Sequence, residues 1–179
     1  IIGEPTSMKA ITAHKGYNEY ITRFTGLSGH ASNPESGISA IEYAIRYSNK
    51  LIELRDELKK RNSKKTSFSP SYSTLQIGKI SGGIGANVIP DQCSLEWEVR
   101  PINKDDGDFV SKNIDSFAKD ILLPEMKKNN PKGNIKKEII GEVVGFNKEE
   151  TSDAVNLVCN LTGDNAKDTM SFGTEAGLF

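Results

Sequence analysis

Residues 72–100, YSTLQIGKISGGIGANVIPDQCSLEWEVR, hold two strand-like runs with nothing helical between them. Tyr72–Ile80 is the first run and Ala86–Arg100 the second, and Ser81-Gly82-Gly83-Ile84-Gly85 turns the chain between them. A glycine-rich link this short makes the two runs antiparallel neighbours. In the second run Leu95, Trp97 and Val99 share one face, while Glu96, Glu98 and Arg100 share the other. That pattern predicts a sheet buried on one side and wet on the other. A phosphate-binding loop would need a helix N-terminus behind these glycines. A strand follows, so the glycines read as a hairpin turn.

The hairpin lies at the centre of an ordered set of elements. Ile11–Thr25 is rich in β-branched and aromatic residues, with Tyr20, Thr22 and Phe24 alternating against Ile21, Arg23 and Thr25, as in a strand with two unlike faces. Gly37 to about Asn62 is predicted as a helix, with Ile38, Ile41, Ile45, Ser48, Ile52 and Arg55 at three- and four-residue spacing. Leu51, Leu54 and Leu58 widen that stripe, and Lys59, Lys60 and Arg61 suit the negative end of the helix. Asp105 to about Lys128 is a second amphipathic helix, which Pro124 is predicted to kink or end. Ile135–Phe146 is a fourth strand. The order β-α-β-β-α-β predicts a ferredoxin-like α+β lobe at residues 11–146: an antiparallel four-stranded sheet with two helices on one face.

The flanks do not belong to that lobe. Residues 1–10 carry "IIGEPTS", read as a strand tip and loop, and residues 147–179 supply a helix over 148–162 and a strand over Thr169–Phe172. Both flanks need a partner sheet, so they read as pieces of a neighbouring α/β domain. The chain opens on Ile1 without a methionine and closes on Gly177-Leu178-Phe179 without a polar tail, so it reads as an interior part of a longer protein.

Composition narrows the function classes. The chain has 179 residues and a net charge of -1, with 36% apolar and 26% charged residues, which fits a globular domain with a core of its own. Both signs are spread along the chain, against a nucleic-acid or membrane-surface footprint. No apolar run approaches the roughly 20 residues of a membrane span, and no signal-peptide pattern opens the chain. Cys93 and Cys159 lack CxxC spacing and read as two buried thiols in a reducing, cytoplasmic compartment.

Few residues could carry chemistry. His30, in "GLSGHASNP", is an imidazole on a tight loop before the first helix; it is either a helix-approach residue or a catalytic group held out for a substrate. Glu4 precedes Pro5 at the end of a predicted strand, where sites in α/β sheets collect, although an acidic loop residue fits as well. Glu149-Glu150 opens a predicted helix, where acidic residues suit the dipole alone. His14 lies in a strand and is assigned no role.

Five motifs in order, "IIGEPTS", "HKGY", "GLSGHASNPESGISAIEYA", "GGIGANVIPDQCSLEWEVRP" and "SFGTEAGLF", resemble the successive signatures of the dinuclear-zinc aminoacylase and carboxypeptidase family. "HKGY" and "FGTEAGLF" favour its acetylornithine deacetylase branch over its succinyl-diaminopimelate desuccinylase branch. The resemblance implies amide hydrolysis: release of an acyl, here acetyl, group from an N-acyl amino acid such as N-acetylornithine, by a homodimer joined through the lobe. The resemblance makes the lobe an inserted lid and the flanks parts of a catalytic domain. Glu4 would be a terminal ligand of one zinc. His30 would reach the partner subunit's site and donate to an oxyanion, a role worth about 3 kcal/mol. Asn87 and Arg100 would touch substrate, Arg100 by forking onto a carboxylate, with Gly173 and Thr174 on the other side.

The family's two zinc ions, about 3.5–4 Å apart, need several His and carboxylate ligands plus a glutamate base. This sequence has two histidines, neither in a His-x-Asp, and its one Glu-Glu lies after Glu4. The expectation is therefore that this chain alone binds no catalytic metal and hydrolyses nothing. Two other readings remain: a related deacylase or dipeptidase, and a non-catalytic ferredoxin-like dimerisation or regulatory module.

Overall fold

Lys15 and Gly16 divide what reads as one strand over Ile11–Thr25. In the computed structural model, which describes residues 1–61, 66–146 and 152–178, β1 (Ala10–His14) and β2 (Tyr17–Thr25) enter different sheets. Next come β3 (Gly29–His30), α1 (Ala40–Arg61), β4 (Thr74–Gly82), β5 (Val88–Ile89) and β6 (Gln92–Arg100). The chain continues with α2 (Lys104–Phe117), α3 (Leu123–Asn129), β7 (Asn134–Val143), α4 (Asp153–Thr162) and β8 (Lys167–Met170). The main sheet is antiparallel, in the order β4-β6-β2-β7, the strand order of a ferredoxin-like β-α-β-β-α-β unit. β1 pairs in parallel with β8 in a separate two-stranded sheet. The predicted strand tip in "IIGEPTS" is absent: residues 1–9 are loop and turn, and the first strand starts at Ala10.

Alternation builds the core. Leu95, Trp97 and Val99 of β6 and Tyr20, Thr22 and Phe24 of β2 are all buried against the helices. Their neighbours Glu96, Glu98, Arg23 and Arg100 lie on the open face, as the spacing predicts. Fully burying each large apolar side chain contributes about 1.5–3 kcal/mol. Trp97 stacks beside Tyr20 at 4.4 Å, and Phe24 meets the Tyr47 ring edge-on at 5.4 Å.

Three predicted elements differ in detail. First, the buried stripe of α1 is Ala40, Ala44, Tyr47, Leu51, Leu54 and Leu58, while Ile45 is 48% and Ile52 is 37% exposed. Leu51, Leu54 and Leu58 are buried as predicted, while Ile45 and Ile52 turn away from the sheet and alanines take their place, letting the helix approach the strands closely. Second, Pro124 does not end the second helix. A π-helical segment, Ala118–Leu122, precedes α3, with Pro124 in its first turn. In a regular α-helix the proline ring would strike the Asp120 carbonyl, and a wider turn makes room for it. Leu122 and Met126 stay buried across this register change. Third, the long strand predicted over Ala86–Arg100 is two strands, because β5 leaves the main sheet to pair with β3.

The C-terminal flank follows the predicted order. Ser152 caps α4 by accepting from the Val155 amide, and Gly163 closes the helix in the left-handed region at φ 69°. β8 begins two residues earlier than predicted, at Lys167. Glu149-Glu150 and the predicted start of this helix lie outside the described residues. Cys93 and Cys159 are both free and buried. Among the described residues no helix is long and apolar enough to cross a membrane.

Candidate functional site

The loop of His30 is set by close backbone packing. A Cβ at Gly26 would sit 2.0 Å from the Ile38 carbonyl oxygen, so only glycine lets this loop lie against the chain entering α1. Leu27 and Ile38 then exchange backbone hydrogen bonds of 3.0 and 2.8 Å. Pro34–Ser36 forms a 3₁₀ turn, and the Asn33 amide donates to the His30 carbonyl at 2.9 Å. This frame presents His30 at the surface.

The proton on the His30 ring is placed by its neighbour. The Ser32 amide donates to Nδ1 at 3.2 Å, and the Ser32 hydroxyl lies 2.7 Å from the same atom. A backbone N–H can only donate, so Nδ1 accepts and the neutral ring carries its hydrogen on Nε2. Among the described residues Nε2 has no hydrogen-bond partner. The side chain is therefore an exposed N–H donor.

Asn87 sits beside it. The β3–β5 ribbon pairs Gly29 with Ile89 and His30 with Val88, and the Ala31 amide donates to the Asn87 carbonyl at 3.0 Å. Both residues are exposed. Sequence spacing offers no sign of this neighbourhood, because two-residue strands show no periodicity. An open cavity of about 350 Å³ nearby is lined by Arg23, Val88, Pro90, Asp91 and Gln92, but by neither His30 nor Asn87.

Arg100 closes the other end of β6. Its Nε and Nη2 donate to the two oxygens of Glu98 at 3.1 and 2.9 Å, a two-pronged grip. The guanidinium lies over the Tyr17 ring at 4.3 Å. Tyr17 in turn donates to Glu19, and this hydrogen bond, with burial second, pushes its hydroxyl pKa up to about 12. Gly173 packs against the other side of Tyr17: a Cβ there would fall 3.0 Å from the Tyr17 Cβ. The Thr174 hydroxyl accepts from the Ala176 amide at 3.1 Å, capping the 3₁₀ turn Glu175–Leu178. Arg100, Tyr17 and Gly173 thus form one cluster. Tyr17 and Glu98 have no role in the sequence reading, and "HKGY" is the only signal that marks the first.

Two clusters result, at opposite ends of the lobe. The His30–Asn87 ribbon adjoins the Gln92 end of β6, where Gly26 and Ala40 donate to the Asp91 and Pro90 carbonyls. From Gln92 to Arg100 the strand advances roughly 27 Å at about 3.3 Å per residue. Glu4 is exposed on the N-terminal loop. Among the described residues no group of three or more His, Cys, Asp or Glu could hold a metal ion.

A four-stranded β-α-β-β-α-β lobe that leaves a separate parallel sheet at one strand and returns to it after another defines the class: a ferredoxin-like inserted lobe. The chain belongs to the peptidase dimerisation domain family, which matches residues 12–126. It is 33% identical over 177 residues to an acetylornithine deacetylase of Pasteurella multocida and 36% identical over 177 residues to that of Proteus mirabilis. Each match covers 98% of this chain and 44% of the relative, so the chain spans less than half the length of these proteins. The fold is similar to that of an aminopeptidase, PepT, from Bacillus cereus, with a TM-score of 0.69 and 19% identity over 95% of this chain and 42% of that one. A tripeptidase from Staphylococcus aureus gives a TM-score of 0.69 and 18% identity over 96% of this chain and 42% of that one.

Proposed function

We propose that this chain is the lobe-bearing part of a metal-dependent amidohydrolase that works as a homodimer and removes the acetyl group from an N-acyl amino acid such as N-acetylornithine. The observation that carries the reading is that its two polar clusters lie at opposite ends of β6, a strand roughly 27 Å long. An N-acyl amino acid is far too short to touch both. A site that uses His30 and Arg100 together must therefore draw them from two copies of the chain. In this reading Arg100, Gly173 and Thr174 hold the substrate in one subunit. His30 and Asn87 arrive from the other subunit, and the Nε2–H of His30 faces the oxygen where negative charge develops. Glu4 serves as one carboxylate ligand of a metal centre completed by residues beyond those described.

The surface suits such pairing. Ile45 and Ile52 stand exposed on α1, and Ile80 is 50% exposed on the neighbouring edge strand β4. A two-fold axis beside β4 would cover all three and join two sheets into one.

Subunit complementation tests the reading in the intact protein. His30→Ala and Arg100→Ala are each expected to abolish deacetylation of N-acetylornithine. Mixed and re-equilibrated, they form heterodimers in which one of two sites is whole, restoring about a quarter of wild-type activity for random pairing. If both residues served one site within the same subunit, every site would keep one defect. No recovery from verified heterodimers would refute the shared site.

A further inference from the structure

"HKGY" holds two side chains that the proposed chemistry leaves unused, and both are buried. Lys15 has no exposed surface and His14 is 2% exposed. A lysine is almost never fully buried without partners. Lys15 Nζ donates to the Pro70 carbonyl at 2.8 Å and to the Tyr72 carbonyl at 2.7 Å. Both acceptors lie in the loop between α1 and β4. Burial holds the ammonium well below its ordinary range, at a pKa of about 8.

The same loop is fastened at four more residues. Thr169 of β8 donates to the Ser67 carbonyl at 2.9 Å, and Ser171 donates to the Ser69 carbonyl. Phe68 packs into a small buried cluster with Ala13 of β1 and Ile102. Ser73 donates to Asp106 of α2 and accepts from the Ile102 amide at 2.9 Å. Residues 66–73 are thus bonded to the β1–β8 sheet on one side and to the lobe on the other.

The covalent crossings between the two sheets are held by backbone hydrogen bonds: His14 and Phe146 exchange two, of 2.9 and 3.0 Å, and the Gly16 amide donates to the Pro101 carbonyl at 2.8 Å. The chain leaves the β1–β8 sheet at Gly16 and comes back to it at Gly145, and the two glycines touch: a Cβ on Gly145 would lie 2.9 Å from the Gly16 nitrogen. Two glycine backbones thus meet at this crossing, and the side-chain bonds of residues 66–73 lie beside it.

We propose that residues 66–73 are a strap that sets the angle between the lobe and the β1–β8 sheet, with Lys15 as its pin. The angle matters because Tyr17 and Arg100 travel with the lobe, while Gly173 and Thr174 follow β8. Lys15 is a positioning residue: it acts through the gap between these two halves of the substrate cluster. The consequence for substrate rests on the function proposed above; the strap itself does not.

Hydrogen exchange on the intact protein tests the strap without reference to activity. Lys15→Met keeps the side chain's length and removes its donors. The amides of Gly16 and Ile102, bonded to the Pro101 carbonyl and the Ser73 hydroxyl, should exchange faster by about tenfold or more, as expected for loss of one net hydrogen bond. Amides of the β2–β6 ladder should not change. In the same variant KM for N-acetylornithine should rise about tenfold with kcat within about twofold, the pattern of lost uniform binding. If Lys15→Met does not fold, Thr169→Val with Ser171→Ala releases the strap from its other side and should speed the same two amides. Unchanged exchange at Gly16 and Ile102 overturns the strap, as does acceleration spread evenly through β2–β6. Faster exchange with unchanged KM overturns the positioning role. Absence of deacetylase activity in the wild type would sink the proposed function and leave the exchange arms to decide the strap.

Discussion

Thr22 offers a sharp test of how the lobe's core is held. Its hydroxyl lies in a site with no exposed surface, where it accepts from the Trp97 indole N–H at 3.0 Å and approaches the Tyr47 hydroxyl at 3.4 Å. Trp97 and Tyr47 are 2% and 1% exposed, so neither can turn to water instead. Thr22→Val keeps the shape and removes the acceptor. A buried N–H left unpaired costs about 1–3 kcal/mol. The contact to Tyr47 is long and adds little, and the added methyl recovers a fraction. The net expectation is a loss of about 2 kcal/mol, or a fall of about 1 M in the urea midpoint at a slope near 2 kcal/mol/M. The chain has one tryptophan, so Trp97 fluorescence follows this core directly. In a Trp97→Phe background, followed by circular dichroism, Thr22→Val should cost less than about 0.5 kcal/mol because no donor is orphaned. An equal cost in both backgrounds would refute the hydrogen-bond argument. So would a wild-type midpoint in the single variant.

Ile45→Glu combined with Ile52→Lys should leave the fold intact, since both residues stand outside the buried stripe of α1, and should convert a dimer to a monomer in sedimentation at tens of micromolar. A dimer that persists would remove α1 from the proposed interface. The Lys15 pKa gives a pH effect of known sign. Its folded value of about 8 lies below the ordinary 10.5, so between those pH values the folded state has given up a proton that the unfolded chain keeps. Stability relative to Lys15→Met should therefore rise with pH across that window, by at most about 3 kcal/mol, and stay flat below it. A difference that falls as pH rises from 8 to 10 would contradict the burial of a neutralisable ammonium.

What the sequence made legible follows from what each pattern physically reports. Alternation in β2 and β6 was readable because one face of each strand meets helices and the other meets water. The predicted α1 stripe holds at Leu51, Leu54 and Leu58 but was misread at Ile45 and Ile52, because alanine takes the place of isoleucine against the sheet. Ala40 and Ala44 face the strands, where closeness matters more than bulk, while Ile45 and Ile52 face outward. The break at Lys15–Gly16 was hidden because burial of Lys15 depends on carbonyls more than fifty residues away in the chain, and no local period records that. The same holds at the candidate site. The motifs that carry the family resemblance include His30, Asn87, Arg100, Gly173 and Thr174. Only the β3–β5 pairing brings Asn87 to His30, and only the crossing at Gly16 brings Gly173 to Tyr17.

The placement of charge along β6 bears on why the lobe is built as two separated clusters. Glu98 holds both prongs of Arg100, and Glu19, its cross-strand neighbour, takes the Tyr17 hydroxyl. The guanidinium is therefore fixed in plane and stacked on Tyr17, and in the proposed site an incoming carboxylate would exchange with one already bound rather than order a free side chain. Such preorganisation lowers the entropy lost on binding. At the far end His30 has the opposite character, an exposed ring whose hydrogen bonds among the described residues, both on Nδ1, fix its tautomer and leave Nε2–H open. A group that anchors a ground-state charge is best held rigidly on a strand of its own subunit. A group that is to meet charge appearing only during reaction can be delivered from elsewhere. In the proposed dimer, a lobe that separates these two tasks along one strand would gain a complete site only when a second copy supplied the missing end, which would tie assembly to catalysis.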